Sequence, residues 1–525
     1  MRYILIFAIF SLLHAQYFSN YSLNRSTNGV DEGLPSNGII DIREGTNGRF
    51  YFGTGDGLGY VDFISLDSLL FYTISNDSLP IGGNPSMKTY LVDDELMIIV
   101  SGVTSEFADG QNRPKGTGIS WSIDNGESWS FMPQSVEPKE SLQYIDLEWG
   151  GQTFDQLSVT TEINNVSYDL SLQGEFIYTT SWAGGLRRFK YTDAVPQWEV
   201  IPLPMDNQGS LYCGLIDTIE YHINPIDPPD GFHNHKAFSI FSDNDTLWVG
   251  TANGINKGII NEDNCIDWIH YTSDNGLAGE WVVGIIPQEL NNFTRIWAIT
   301  WTSPNVPHAL SYTDDGGLNW RIIYQLEEMN LVTYNLFFSD TTIYASTSKG
   351  LYKSYGSGSY WEKMIIHVDN EGEINLSDEV YSVILLDNSL LVGTGDGLAL
   401  THDDGVTWDI IRFWEHTQNS NKDVLRFSVY PNPFYIDDMN KLDGDGHVRF
   451  IFHSGLINSA TIDIFDFAME RVNRLSNPHF IDEEGEIIWD GRNQFGDQVA
   501  NGAYFCRLTL GNNIYWTKLI VVNSQ

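Results

Sequence analysis

A stretch of nine residues, Leu247-Trp248-Val249-Gly250-Thr251-Ala252-Asn253-Gly254-Ile255, occurs twice more along this chain in nearly the same form. The other two copies are residues 50–58 and 390–398. Each copy is a short apolar run followed by Gly-Thr and then by Asp-Gly or Asn-Gly. Apolar runs of this length are typical of strands, and Asp-Gly and Asn-Gly pairs are typical of tight turns between strands. We therefore expect a strand and a hairpin turn at every copy.

Four weaker copies, at residues 98–102, 177–180, 296–300 and 343–347, bring the number of repeats to seven. The equivalent residues 251, 300, 347 and 394 are 49, 47 and 47 residues apart, close to the period of ~40–50 residues that propeller blades show. A four-stranded blade cannot bury both of its faces alone, whereas a closed ring of blades buries all of them. We predict an all-β chain with a roughly seven-bladed β-propeller at residues 16–414. The apolar run would be the inner strand of each blade, and a strand near 17–23 would close the ring against the last blade near 408–413.

A second repeated pattern, Ser/Thr-x-Asp-x-Gly-x-x-Trp, occurs three times, with a fourth copy at 354–361 that has Gly356 in place of the Asp. We expect the Asp to accept backbone N–H groups, the Gly to adopt a left-handed conformation and the Trp to pack between sheets. The pattern resembles the Asp-box of sialidase-like and sortilin-like propellers, and we interpret it as structural. Its residues are Asp124, Gly126 and Trp129, then Asp315, Gly317 and Trp320, then Asp403, Gly405 and Trp408.

Residues 33–37 and 275–279 precede expected strands and resemble the repeat of the periplasmic sensor propellers of two-component regulators. This resemblance implies the propeller fold over roughly residues 17–415. It implies no signalling function, because no transmembrane helix or kinase follows in this chain.

A second domain follows the polar stretch 415–426, which we interpret as a linker. The run Tyr430-Pro431-Asn432-Pro433 stops any helix, and the short alternating runs after it predict an immunoglobulin-like β-sandwich at residues 427–525. The Tyr-Pro-Asn-Pro start, the Trp-Asp-Gly-Arg turn at 489–492 and the Gly-x-Tyr strand at 502–504 resemble the C-terminal sorting domains of type IX secretion cargo. They also resemble the related domain of flagellar hook-capping proteins. The resemblance implies secretion machinery as a partner and leaves open whether the domain is cleaved after export.

The first residues predict export. Met1-Arg2, an apolar run at 3–13 and His14-Ala15 form a signal peptide over residues 1–15, with cleavage expected after Ala15. No later run approaches the ~20 apolar residues of a membrane helix, so we expect an extracellular or outer-surface protein without a membrane span after processing. The net charge of −41 repels phosphate groups, which argues against nucleic acid as a partner.

The three cysteines are too few for a disulfide-built scaffold. Cys213 and Cys265 are a possible pair, but we favour the interpretation that all three, Cys506 included, are buried free thiols, because cysteine is so often simply part of a core.

Metal and calcium candidates are sparse. His222, His233 and His235 lie on a Pro-rich loop with Asp227 and Asp230, so they form a metal candidate, although a solvated loop with incidental histidines is the interpretation we favour. Residues 243–245 and 443–446 resemble fragments of calcium loops but lack the downstream bidentate Glu, and we expect turns there. We therefore expect no cofactor, with calcium as the possible exception.

The sequence names no reaction. It contains no nucleophile elbow, phosphate loop, paired CxxC or HExxH motif and no Arg-Ile-Pro start of a sialidase, and its 69 acidic residues do not single out a catalytic carboxylate pair. Sixteen tryptophans, the acidic composition and the export features favour a non-catalytic binder of glycan or protein. The alternatives are a secreted glycoside hydrolase of the Asp-box propeller type and a structural component of an envelope or secretion assembly.

Overall fold

The computed structural model describes residues 33–412 and 427–523, apart from 47, 66–67, 109, 303–307, 367–376, 387, 437–445, 455–456, 458, 477 and 482–483. Strands dominate this part of the chain, which also contains an α-helix at Tyr324–Glu328 and 3-10 turns at His233–His235 and Ser273–Asn275. None of its helices is long and apolar enough to cross a bilayer. The signal peptide predicted at 1–15, the closing strand near 17–23 and the linker at 415–426 lie outside the described residues.

Seven antiparallel sheets follow one another along the chain, and we number them blade 1 to blade 7. The strands are given from first to last. Blade 1 consists of Ile39–Glu44, Arg49–Thr54, Gly57–Ser65 and Ser68–Thr73, and blade 2 consists of Met87–Val92, Glu95–Ala108, Gln111–Ser122 and Ser130–Met132. Blade 3 consists of Asp169–Gln173, Phe176–Ser181, Gly185–Lys190 and Glu199–Ile201. Blades 4 and 5 consist of Ala237–Asp243, Thr246–Thr251, Gly254–Ile260, Ile266–Tyr271 and the added edge strand Ser210–Leu211, then Trp281–Leu290, Phe293–Trp301, Ala309–Thr313 and Arg321–Ile323. Blades 6 and 7 consist of Thr333–Ser339, Thr342–Thr347, Gly350–Tyr355 and Trp361–Met364, then Val380–Leu386, Ser389–Thr394, Gly397–Thr401 and Asp409–Ile411.

The first strand of every blade is its innermost strand. Each first strand contacts the first strands of the two neighbouring blades, and Ile39–Glu44 of blade 1 contacts Val380–Leu386 of blade 7, so the described residues form a closed ring. The repeated apolar run, such as Thr246–Thr251, is therefore the second strand and not the inner strand that we expected. The expectation was wrong because the innermost strands have no repeated Gly-Thr pattern to mark them.

Alternation along the second strands distributes apolar side chains to both faces of a blade. Leu247 and Val249 pack in the cluster between blades 3 and 4, whereas Trp248 packs in the cluster between blades 4 and 5. The same arrangement gives one hydrophobic cluster at each of the seven blade-to-blade interfaces. The cluster between blades 7 and 1 joins Leu391 to Phe52 and buries what would otherwise be two end faces.

Turn chemistry explains why the repeat reads Gly-Thr followed by Asp-Gly or Asn-Gly. In blade 4, Thr251 Oγ1 accepts a hydrogen bond from the Asn253 N–H at 3.1 Å and donates one to the Gly254 carbonyl at 3.3 Å. Gly254 adopts a φ of 98°, which side chains disfavour. The turns of blades 1, 6 and 7 repeat this arrangement, and the glycine, not the residue before it, takes the positive φ.

An accessory sheet stands beside blade 3. Tyr144–Trp149 and Gln152–Leu157 form a hairpin, and His222–Ile223 adds a parallel strand to it. A disulfide joins Cys213 to Cys265 next to this sheet, whereas Cys506 is a buried free thiol. Our preference for three free thiols was therefore wrong, because chain segments 52 residues apart are folded together with a Cα–Cα distance of 6.1 Å, which suits a disulfide.

The C-terminal residues form two packed sheets, as an immunoglobulin-like sandwich requires. One sheet contains, in spatial order, Phe427–Tyr430, Val448–His453, Glu484–Trp489 and His479–Ile481, and the other contains Phe434–Tyr435, Asn513–Val522, Gly502–Leu510, Ala460–Phe465 and Arg471–Ser476. One apolar core lies between the sheets and includes Trp489, Tyr504 and Leu508.

A buried ionic cluster connects the sandwich to blade 7. Asp396 and Arg412 come from blade 7 and its C-terminal extension, and Arg449 and Glu486 come from the sandwich. All four side chains are almost completely buried, and each arginine pairs with both carboxylates. The Tyr430 hydroxyl accepts a further hydrogen bond from Arg412 at 2.7 Å. We call these five residues the domain clasp.

Candidate functional site

β-Bulges in the innermost strands aim side chains into the centre of the ring. Blades 1, 4, 5, 6 and 7 each interrupt the pairing of the first two strands by one extra residue. A residue at a bulge is unpaired, and the local bend redirects its side chain. All five extra residues line a central cavity of about 330 Å³. They are Ile40, Phe238, Val283, Tyr334 and Tyr381.

One part of the cavity wall is aromatic. The ring of Tyr334 lies 5.1 Å from the ring of Tyr381 and 6.1 Å from that of Trp301. Glu379 holds the two tyrosines in place, because its carboxylate accepts hydrogen bonds from both hydroxyls, at 3.2 and 2.7 Å. Across the blade 3–4 interface, Phe238 lies 6.1 Å from Tyr168. The wall therefore presents several adjacent aromatic rings in fixed positions.

The aromatic wall continues beyond the cavity. Trp182 lies 5.5 Å from Phe238 and 5.8 Å from Trp281, ring centre to ring centre. Lys236 Nζ stands 4.6 Å above the Trp182 ring and pairs with Asp227. Burial lowers the pKa of Lys236, and the Asp227 carboxylate opposes that shift. A cation held over an indole face gives this cluster a polar contact as well as apolar ones.

The opposite part of the wall, from blades 1 to 3, is charged. Asp41 pairs with Arg43 at 3.0 Å, and Asp169 pairs with Lys88 at 2.9 Å. Asp169 also accepts a hydrogen bond from the Ser86 hydroxyl at 3.0 Å. Burial acts to lower the pKa of Arg43, but Asp41, together with the smaller contributions of Asp169 and Tyr90, raises that pKa overall. These groups therefore face the cavity as neutral ion pairs.

Asp41 has hydrogen-bonding capacity left over. Its Oδ2 accepts from Arg43 and from the backbone N–H of Met87, whereas its Oδ1 is buried and has no partner among the described residues. The side chain lines the cavity and is only 6% exposed. A buried carboxylate oxygen without a donor is costly, so this atom favours a ligand that donates a hydrogen bond.

The structure does not assemble the predicted metal candidate. His235 uses both ring nitrogens for backbone contacts, with Nδ1 accepting from the Asn224 N–H and Nε2 donating to the Leu203 carbonyl, each at 3.0 Å. Burial lowers its pKa to about 4. His233 Nδ1 lies 4.0 Å from Asp227, which pairs with Lys236, and His222 Nδ1 faces a backbone carbonyl. The described part of the chain holds no group of three or more His, Cys, Asp or Glu side chains arranged to bind a metal.

The calcium-loop fragment at residues 243–245 shows no assembled site among the described residues. Residues 243–245 include the tight turn between the first two strands of blade 4, where Asn244 has a φ of 48°. The fragment at 443–446 lies outside the described residues except for its last glycine.

The Asp-box residues lie away from the cavity, in turns between third and fourth strands. Asp315 Oδ1 accepts from the Asn319 N–H and the Thr313 hydroxyl, both at 2.9 Å, and Gly317 has a φ of 98°. Equivalent contacts form around Asp124 with Gly126 and around Asp403 with Gly405. Each box tryptophan packs between blades, and these are Trp129, Trp320 and Trp408. Bulges and box turns lie at opposite ends of the blades, because the bulges are at strand starts and the strands alternate in direction.

Sequence reasoning missed the residues of the central cavity. Phe238, Tyr334 and Tyr381 share one signal, since each bulge lies opposite the Gly-Thr or Ser-Thr step of the following strand. Aligning the blades on that step would have revealed them. Asp41, Arg43, Lys88 and Asp169 have no such signal, because single charged residues in first strands do not recur from blade to blade.

No protein-family model matches the chain, and no curated protein matches it. Among solved structures it is similar to PorZ, a surface component of the type IX secretion system of Porphyromonas gingivalis, with 14% identity, coverage of 93% of this chain and 76% of that one, and a TM-score of 0.27. It is similar to the β-propeller domain of Cps50 (Swd1) from Myceliophteria thermophila, with 10% identity, 73% and 99% coverage and a TM-score of 0.41. It is also similar to the extracellular domain of a hybrid two-component system of B. thetaiotaomicron, with 12% identity, 95% and 72% coverage and a TM-score of 0.30. At these values the similarities carry no argument about function, and the fold stands on the sheets described above.

Proposed function

We propose that the chain is an exported, non-catalytic β-propeller that binds a glycan in its central cavity, either displayed on the cell surface or released. The observation that carries the proposal is the combination of aromatic rings with neutral ion pairs and one unpartnered carboxylate oxygen in a single cavity. A sugar ring offers an apolar C–H face for the rings and hydroxyl donors for the carboxylate. The cavity volume of about 330 Å³ lies within the ~300–1,000 Å³ range of small-ligand pockets. A protein ligand inserting a side chain is the alternative occupant.

Export is part of the proposal. It is supported by the signal-peptide pattern at residues 1–15 and by the sorting-domain resemblance of residues 427–525. It is also supported by the Cys213–Cys265 disulfide, because disulfides persist chiefly in oxidising compartments. Under this proposal, secretion machinery is the partner of the C-terminal domain.

The test is incubation of the purified mature chain with an array of plant, algal and bacterial polysaccharides, reading both retention and new reducing ends. Retention without cleavage supports the proposal. Tyr334→Ala should then weaken retention about tenfold or more, equivalent to ~1.4 kcal/mol. Tyr360→Ala is the matched control, because Tyr360 is an exposed aromatic of blade 6 outside the cavity lining. Equal losses of retention in Tyr334→Ala and Tyr360→Ala would contradict the site. If the unmodified chain neither retains a polysaccharide nor produces new reducing ends, a protein ligand or a structural role in an envelope assembly is favoured.

One observation favours a glycoside hydrolase as a second candidate. Asp41 and Asp169 are the carboxylates among the described residues that line the cavity, and glycoside hydrolysis generally uses two carboxylates. New reducing ends that disappear with Asp41→Asn would establish this activity. Asp155→Asn, a carboxylate of the accessory sheet, is the matched control.

A further inference from the structure

A second and larger cavity opens on the side of the ring. This lateral groove has a volume of about 1150 Å³ and lies between the accessory sheet and the outer parts of blades 2 and 3. Consecutive residues 145–151 form one border, consecutive residues 194–200 form a second, and most residues from 131 to 138, which end blade 2 and follow it, form a third. Side chains along a strand alternate between its two faces, so a cavity lined by every successive residue runs along the edge of the strand. The groove therefore runs along the backbone edge of the strand Tyr144–Trp149.

This edge is terminal in its sheet. Tyr144–Trp149 ends the accessory sheet, and Glu199–Ile201 is the outermost strand of blade 3. In a two-residue hairpin, the pair flanking the turn exchanges backbone hydrogen bonds and the next pair does not. Trp149 and Gln152 are that flanking pair, so the N–H and C=O groups of Asp146 and Glu148 point outward. A row of outward N–H and C=O groups is a template for an added strand.

The lining of the groove is acidic. Five carboxylates and two guanidinium groups line it; Arg187 pairs with Glu137 at 2.7 Å and Arg188 with Glu199 at 2.8 Å, which leaves an excess of three carboxylates. The five are Glu137, Asp146, Glu148, Glu199 and Asp263. Asp146 and Glu148 are exposed and lie on the same face of their strand, whereas Ile145 and Leu147 occupy the other face. The edge therefore presents negative charge on one face and apolar groups on the other.

A buried polar atom in the groove has no partner. Gln156 lines the groove and is only 4% exposed, and its Oε1 has no hydrogen-bond donor among the described residues. Its amide nitrogen donates to the Glu137 carboxylate at 3.4 Å, so the unpartnered oxygen lies beside the Arg187–Glu137 ion pair. A buried amide oxygen in this state favours a ligand that donates a hydrogen bond.

The disulfide fixes one end of the groove. A Cβ atom on Gly150 would lie 2.4 Å from Cys213 Sγ, so the hairpin turn rests directly on the disulfide. Cys265 itself is part of the groove lining. The edge strand therefore enters the groove in a fixed position, which lowers the entropy lost when a ligand pairs with it.

We propose that the lateral groove binds an extended segment of a partner protein by strand addition, and that this segment alternates basic with apolar residues. Cross-strand neighbours on one face of a sheet favour opposite charges. Residues of the segment opposite Asp146 and Glu148 would therefore be Lys or Arg at every second position, and the residues between them would meet the face of Ile145 and Leu147. This function does not depend on the central cavity.

The probe is a labelled eight-residue peptide that alternates Lys and Val, titrated against the full chain by fluorescence anisotropy. One control peptide carries the same residues in two blocks, and a second carries N-methyl groups on alternate residues, which keep the charge but block strand pairing. We expect the alternating peptide to bind at least about tenfold more tightly than either control. The double variant Asp146→Asn/Glu148→Gln should weaken it by about tenfold, whereas Glu362→Gln, an exposed carboxylate on the outermost strand of blade 6, should not.

Each other outcome overturns the proposal. Equal binding of the N-methylated peptide would mean attraction by charge alone, and no binding of the alternating peptide would remove the groove as a strand acceptor. Unchanged peptide binding by the double variant, accompanied by self-association of that variant, would show that the carboxylates only protect the edge from other strands. Polysaccharide retention, which reports on the central cavity, should be the same in the double variant and in the unmodified chain.

Discussion

Arg412, just beyond the last strand of the propeller, donates a hydrogen bond from Nη1 to Oε2 of Glu486 in the sandwich at 3.1 Å. Both side chains are almost completely buried, so this contact exists only while the two domains are docked. Two arginines and two carboxylates balance one another in the domain clasp.

Removing one member of the domain clasp should lower the free energy of unfolding substantially. In Arg449→Met, Asp396 and Glu486 would share a single arginine, and breaking a buried ion pair typically costs ~3–5 kcal/mol. We expect the first transition of a urea titration to move to lower concentration by a corresponding amount. Arg321→Met is the matched control, because Arg321 is exposed and should change the transition little.

Proteolysis gives the same prediction a second readout. A cut between residues 413 and 426 in the unmodified chain should leave two fragments that co-elute in size-exclusion chromatography, whereas the fragments of Arg449→Met should separate. Co-elution of the Arg449→Met fragments would contradict a clasp that depends on charge balance.

The Cys213–Cys265 disulfide should contribute measurable stability. The two cysteines are 52 residues apart, and the chain-entropy relation gives about 4 kcal/mol for closing such a loop. We expect reductant to lower the melting temperature and thiol titration in denaturant to count one thiol before reduction and three after. Three thiols before reduction would show that the bond is absent.

His235 makes stability depend on pH. Its folded pKa of about 4 lies below its ordinary value of 6.5, so the stabilisation is complete above pH 6.5 and falls as pH drops toward 4, because only the unfolded chain takes up the proton. At about pH 4.5 the loss should be on the order of 2–3 kcal/mol. The measurement compares urea midpoints at two pH values for the unmodified chain and for His235→Gln, which should lack this component. The same pH dependence in His235→Gln would assign it to other groups.

The Asp-box turns should be structural. The pKa of Asp315 is lowered chiefly by the hydrogen bond from the Asn319 side chain, so its contribution is present above its ordinary pKa and is lost as pH falls through the lowered value. Asp315→Ala should lower the melting temperature by a few degrees and leave polysaccharide retention unchanged. Leu318→Ala, an exposed residue of the same turn, should leave both unchanged. Loss of retention in Asp315→Ala without loss of stability would instead place a ligand at the box.

The repeated segments made the fold predictable, because the Gly-Thr runs with their Asp-Gly or Asn-Gly turns mark one strand and one turn in three blades, and weaker copies mark the same strand in the other four. The position of that strand within the blade was not predictable, since a buried second strand and a buried first strand have the same apolar composition. The sandwich was predictable for a similar reason, as alternating runs such as Ala460–Phe465 bury one face only.

The cavities were less predictable than the fold. The central cavity combines residues of all seven blades, and a bulge shifts its residue out of the alternation that sequence reasoning uses. The lateral groove depends on an accessory hairpin whose sequence contains no repeat. The Cys213–Cys265 pairing depends on the same folded insertion, so residue spacing alone did not favour it.

At a bulge, a side chain can contact a ligand without taking part in strand pairing, although these two requirements usually compete within one strand. Phe238, Tyr334 and Tyr381 pair with no residue across the strand, so they lie outside the pairing register of their blades. Each central residue can therefore be exchanged without altering the pairing register of its blade. Natural variation or directed evolution can thus change the ligand preference of this scaffold while every blade keeps its strand pairing.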